Sequence, residues 1–141
     1  MSFKLDNVFG VLIANIRNSL KNNLEKELMK YDISASQSII LRRLCEKDNL
    51  TQKELAEDTY FLQPSLTLLI DKLERKGLVQ RQSKLNDRRA YNICITQKGR
   101  ELEKILIDAS NKVENEAFQG MDENNKTLLI QMLKTVYSNV K

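Results

Sequence analysis

The apolar residues change period twice along this chain, and no other feature of the sequence limits the fold as much. Phe9, Ile13, Ile16, Leu20, Leu24 and Leu28 recur at helical spacing, as do Leu66, Leu69, Ile70 and Leu73. Between Leu78 and Ile95 the pattern becomes a short alternation rich in β-branched residues. Helical spacing then returns, first through Leu102, Ile105, Leu106, Ala109 and Val113, then through Leu128, Leu129, Met132, Leu133, Val136 and Val140. Only four glycines and one proline interrupt 141 residues, so the connections must be short. The fold class predicted is mainly α, with one two-stranded β wing set into a series of helices.

Local signals place the boundaries. Asp6 is the expected N-cap of a first helix reaching about Lys30. Ser34-Ala35-Ser36-Gln37 and Thr51-Gln52-Lys53-Glu54 both read as capping boxes, each opening a helix, the first to about Lys47 and the second to about Asp58. A turn over Thr59 to Leu62 leads to a helix with Pro64 in its first turn, and Gly77 stops that helix at C′. Strands are expected over Leu78–Gln82 and Ala90–Ile95, with Ser83 to Arg89 as a polar, basic hairpin tip. Thr96 is placed to cap the next helix. Gly120-Met121-Asp122 marks the last break, and a final helix starts near Glu123.

Several function classes drop out. No run of apolar residues is long enough to span a membrane, and no signal-peptide core follows the N-terminus, so a cytoplasmic location is expected. Histidine is absent and the two cysteines, Cys45 and Cys94, stand far apart, which disfavours a metal site or a disulfide framework; no cofactor is expected. No nucleophile elbow or phosphate-binding glycine loop occurs, and the carboxylates lie mostly beside lysines on solvent faces. An enzyme is not expected.

Charge is uneven. Residues 36–100 carry 13 Lys and Arg against 8 Asp and Glu, whereas residues 101–141 carry 5 against 7. Positive charge concentrated in the middle segment suits a nucleic-acid footprint, although a solvated basic surface would look the same.

The order of elements between Ser34 and Thr96 is more specific. A helix, a short helix, a turn, a capped helix and a hairpin with a basic tip is the plan of a winged helix-turn-helix, whose second helix enters the major groove. If Leu66, Leu69, Ile70 and Leu73 face the core, the opposite face presents Ser65, Thr67, Leu68, Lys72 and Arg75, with Gln63 at the tip. Short polar groups near the helix start suit base edges, and the cations behind them suit phosphates. On the wing, Lys84, Arg88 and Arg89 supply positive charge, and Asp87 is suited to hold a neighbouring arginine in a fixed pose.

Four segments carry a resemblance: Leu50-Thr51-Gln52-Lys53-Glu54-Leu55-Ala56-Glu57, the run from Gln63 through Arg75-Lys76-Gly77-Leu78-Val79, Asn86-Asp87-Arg88-Arg89-Ala90, and Ile95-Thr96-Gln97-Lys98-Gly99-Arg100. Together they resemble the MarR (multiple-antibiotic-resistance regulator) family, and the flanking helices match in order and length. The resemblance implies one domain over residues 1–141, with the DNA-binding region at 34–100 and dimerisation helices at 1–33 and 101–141. It implies a homodimer on double-stranded DNA at a pseudo-palindromic operator, repression, and in many members release by a small-molecule effector. By position, Ser65 and Thr67 match groove-facing residues, Gln52 a residue near the backbone, and Arg89 the wing arginine. A winged helix serving only protein contacts is the alternative.

Two departures stand out. Thr59-Tyr60-Phe61 occupies a turn that often contains glycine, and Leu68 stands where arginine is common, so a thymine methyl is its natural contact. The winged helix has its own core in Ile40, Leu44, Leu55, Leu66, Leu69, Leu73 and Val79, so the flanking helices hold surplus apolar surface. Phe9, Ile13, Ile16 and Leu20, together with Leu129, Leu133 and Val136, are the residues expected to bury it against a two-fold mate. Phe9, Tyr31, Tyr60 and Phe61 are candidates for an effector pocket, with ordinary packing the plainer reading. Neither cysteine has neighbours that would activate it, so oxidant sensing is the less favoured role.

Overall fold

In the computed structural model the description covers residues 4–84 and 87–141, without the side chains of residue 84 and residues 87–90. The elements are α1 (Phe9–Leu28), α2 (Ala35–Glu46), β1 (Leu50–Thr51), α3 (Gln52–Asp58), α4 (Gln63–Arg75), β2 (Val79–Lys84), β3 (Asp87–Ile95), α5 (Gln97–Arg100), α6 (Glu103–Ala117) and α7 (Glu123–Val140). The three strands form one antiparallel sheet in the order β1-β3-β2, so the mainly α fold with its β wing holds. The sheet has a third strand that was not expected. β1 is two residues long, too short for alternation to register in sequence, and it pairs Leu50 with Ile93 and Thr51 with Asn92. β2 and β3 also reach further toward the hairpin tip than the expected strands did.

Both capping boxes form. Ser34 Oγ accepts from the Gln37 N–H and Gln37 Oε1 from the Ser34 N–H, each at 3.1 Å. Thr51 and Glu54 exchange the same pair of bonds at the start of α3. Gly77 takes φ +75° after α4, a left-handed conformation in which glycine carries no Cβ penalty.

Three boundaries differ from expectation. Asp6 is not the cap of α1. It lies in a separate 3-10 turn, Leu5–Asn7, closed by the Val8 N–H donating to Leu5 O, and extended Val8 then starts the helix. At its other end α1 tightens into a 3-10 turn, Met29–Tyr31, and stops where Asp32 turns left-handed at φ 56°. The helix opened by Thr96 is two pieces. Its first turn, α5, ends where the Leu102 N–H donates to Gly99 O, a tightened bond that resets the axis before α6.

The core lies between α2, α3, α4 and the inner face of the sheet. Ile40, Leu44, Leu55, Leu66, Leu73 and Val79 are buried there as expected, with Leu41, Leu50, Ile70 and Ile93. Leu69 is only half-buried, because the inward face of α4 centres on Leu66, Ile70 and Leu73. Leu28 and Leu106 extend this core into α1 and α6, and Lys112 Nζ bridges those two helices to Glu27 at 2.8 Å. No residue of α7 is buried. No helix among the described residues is long and apolar enough to cross a membrane.

Candidate nucleic-acid interface

The N-terminus and outer face of α4 form a projecting surface. Gln63, Ser65, Leu68, Lys72 and Arg75 are all exposed on it, Leu68 at 62%. Thr67 differs. It is half-buried, and its hydroxyl donates to Gln63 O at 3.0 Å while accepting from Gln52 Nε2. Gln52 also donates to Gln63 O at 3.3 Å. Two residues assigned separately to the DNA surface therefore meet, and together they fix the angle between α3 and α4.

The acids of α4 face another way. Asp71 and Glu74 lie one helical turn apart and both bind Arg81, which rises from β2. Arg81 Nη2 donates to Asp71 at 2.6 Å, Nη1 to Glu74 at 3.0 Å, and the Arg81 N–H to the second Glu74 oxygen at 3.0 Å. This clamp offsets part of the negative charge of α4 and ties the helix to β2. Lys72 and Arg75 have no carboxylate partner among the described residues, so their charge is presented outward. Sequence reading missed Arg81. The signal was an arginine just past the helix-ending glycine, facing an i, i+3 pair of acids.

A second tie holds the far end of α4. Lys76 Nζ donates to Asp32 O and, at 3.0 Å, to Gln37 Oε1, and it pairs with the Asp32 carboxylate at 3.5 Å. Lys98 Nζ in turn donates to Lys76 O at 2.9 Å. Helix α4 is thus fastened to the start of α2 at one end and to α3 at the other. On the wing, the expected roles of Lys84, Asp87, Arg88 and Arg89 fall on side chains outside the described residues.

A cleft of about 680 Å³ opens behind this surface, between α1, α2 and α6. Tyr60 lines it, whereas Phe9, Tyr31 and Phe61 do not; Tyr31 and Phe61 pack against the core instead. Ile13, Ile16 and Leu20, expected at a dimer contact, also line it. Phe9 and Leu133 lie exposed, and Leu129 and Val136 are half-buried along α7.

Neither cysteine is activated. Burial, together with the nearby Glu103 carboxylate, pushes the Cys45 thiol up to about 12. Burial, then the charge of Asp48, also raises Cys94, whose thiol donates to Asn49 Oδ1 at 3.2 Å.

Residues 33–91 match the MarR family. The chain is 30% identical over 112 residues to the transcriptional regulator SarZ of Staphylococcus epidermidis, covering 79% of this chain and 75% of SarZ. The chain belongs to the MarR family. Its members here are transcriptional regulators, and the chain is a regulator of that kind rather than an enzyme. MepR of S. aureus, solved with DNA, superposes with a TM-score of 0.86 at 25% identity, over 94% of this chain and 98% of MepR. CouR from Rhodococcus jostii RHA1, solved with p-coumaroyl-CoA, gives 0.83 at 23% identity, over 97% and 94% of the two chains.

Proposed function

We propose that this MarR-family regulator binds double-stranded DNA as a homodimer and represses transcription by occupying a pseudo-palindromic operator. The observation that carries this reading is the outward face of α4, where Gln63, Ser65, Leu68, Lys72 and Arg75 project while the helix's own acids are turned onto Arg81. Gln63 and Ser65 take base edges, Leu68 takes a thymine methyl, and Lys72 and Arg75 take phosphates. Thr67 and Gln52 hold that face at its working angle, with Gln52 near the backbone. Residues 34–100 are the DNA-binding region. Its wing adds Lys84 and Arg88, and Arg89, braced by Asp87, enters the minor groove.

The exposed stripe of α7 and the outer residues of α1 support the dimer. Phe9, Ile13, Ile16, Leu20, Leu129, Leu133 and Val136 cover one another across the two-fold axis, which sets the recognition helices about 34 Å apart, one turn of DNA. The cleft between α1, α2 and α6 is the effector site. MepR with DNA and CouR with p-coumaroyl-CoA lend weight to the two binding roles by likeness.

Fluorescence anisotropy against the DNA upstream of the chain's own gene tests the reading. Wild type is expected to bind with an affinity that falls steeply with salt, at a log-log slope of about −0.9 per phosphate neutralised. Arg89→Ala should bind more weakly and with a shallower slope. Affinity no better than for random DNA, for the upstream fragment and for a pool of selected sequences alike, would favour a winged helix that contacts protein.

A further inference from the structure

Helix α4 opens differently from its neighbours. Ser34, Thr51 and Thr96, at the starts of α2, α3 and α5, each accept a hydrogen bond from the third helical N–H at 3.1 Å. The corresponding residue of α4 is Leu62, which has no side-chain oxygen, and no side chain caps this helix. Leu62 O accepts the first helical bond, from the Leu66 N–H at 2.9 Å, and its backbone is extended as in any N-cap. Leucine is among the poorest residues for that position. Its side chain gains little from packing either. At 76% exposure, Leu62 is the most exposed large apolar residue among the described residues. Neither capping nor packing explains a leucine here.

Its surroundings do. Leu62, Ser65 and Leu68 follow at intervals of three residues, so they form one row along the exposed face of α4. Leu68 is itself 62% exposed. Lys72 and Arg75, further along the helix, have no carboxylate partner among the described residues. A partner that meets this face is therefore anionic and offers apolar groups beside its charge. In the major groove of DNA the apolar group is the C5-methyl of thymine. Six residues at 1.5 Å each set Leu62 and Leu68 about 9 Å apart along the helix axis, too far to share one methyl.

We propose that Leu62 is a further specificity-determining residue, reading the methyl group of a thymine other than the one that Leu68 meets. This deepens the DNA reading of α4 and rests on it. It makes the N-cap of the recognition helix a place where stability is given up for sequence preference.

Selection from a randomised duplex pool supplies the tightest-binding site. Each thymine of one half-site is then replaced in turn by deoxyuridine, which lacks only the methyl group. By anisotropy, wild type should lose about fourfold in affinity at two separate thymines, the value of one buried methyl at each. Leu62→Ser should bind thymine and deoxyuridine equally at one of them, and Leu68→Ala should do so at the other. Leu62→Ala, which adds no cap, should match Leu62→Ser toward DNA. The serine variant should also melt about 4 °C above wild type, because it restores the cap.

A deoxyuridine scan that is the same in Leu62→Ser as in wild type would overturn the proposal. A lower melting point in that variant would also overturn it, by assigning the leucine to the fold. A pool that enriches no sequence would overturn the DNA reading, and this proposal with it. Enrichment followed by an unchanged scan would sink only the role of Leu62.

Discussion

Gln52 and Thr67, one at the start of α3 and the other on α4, are joined by a side-chain hydrogen bond that links the two arms of the helix-turn-helix. The bond restrains both side chains and helps to hold α4 at one angle to α3. Thr67→Val keeps the shape and removes the hydroxyl, so it should cost about 1 kcal/mol of stability. Gln52→Ala should cost a similar amount, and the double variant less than both together, because the two share one interaction. Urea denaturation of the four proteins measures the coupling, and strict additivity would show that the bond contributes nothing.

Arg81 should matter more for DNA binding than for folding. Its partners Asp71 and Glu74 are 38% and 41% exposed, so solvent screens the pairs and Arg81→Ala should cost only about 1 kcal/mol of stability. Operator affinity should fall further than that, since the variant also leaves two unneutralised carboxylates on the recognition helix beside phosphates. Arg81→Lys should not restore it, because one ammonium cannot reproduce a guanidinium that serves two carboxylates at once. Anisotropy and thermal melts on the same samples separate the two effects.

Gly99 leaves no room for a side chain. A Cβ there would lie 2.4 Å from the Leu78 carbonyl oxygen and 2.7 Å from Ile95 Cγ1. Backbone cannot retreat as a flexible side chain would, so Gly99→Ala should destabilise by about 3 kcal/mol, at the upper end of overpacking costs. Calorimetry checks this, and a melting point within a degree of wild type would contradict it.

The raised Cys45 thiol sets a pH dependence. Its folded value of about 12 exceeds the ordinary 9.0, so the native state holds the proton more tightly than the unfolded chain. The associated stability is present in full below pH 9.0 and is lost as pH rises through 9.0 toward about 12. At neutral pH the thiol should resist iodoacetamide and peroxide until the protein is unfolded. Mass spectrometry of labelled native and denatured protein gives the comparison.

Leu133→Asp should produce monomers with weak operator binding. Leu133 is already 37% exposed within the chain, so the charge should leave the fold intact. Sedimentation analysis with circular dichroism decides this, and a variant that remains dimeric would place the contact elsewhere on the surface.

What could be read in advance follows from the range of each interaction. The boxes Ser34–Gln37 and Thr51–Glu54 were legible because both partners lie within one helical turn. Gly77, Thr96 and Asp122 marked their boundaries for the same reason. The ties between elements were not legible. Arg81 meets Asp71 across ten positions and Lys76 meets Asp32 across forty-four, and no local pattern specifies such pairings. Asp6 misled because an acid before an apolar run resembles a cap even when the chain turns once more before the helix begins. In the cleft, Tyr60 was legible as an aromatic in an unusual turn, but its company of Arg17, Lys21 and Arg42 arises only when α1 and α2 pack.

The final helix offers a consequence of another kind. No residue of α7 is fully buried within its own chain, and an isolated helix of 18 residues is marginal in water. In the proposed homodimer its order depends on a second molecule, which would make the cell's supply of the protein a variable of its shape. When copies are scarce, occupancy of a two-fold operator should rise with the square of their number. A modest change in synthesis would then act on the promoter as a threshold.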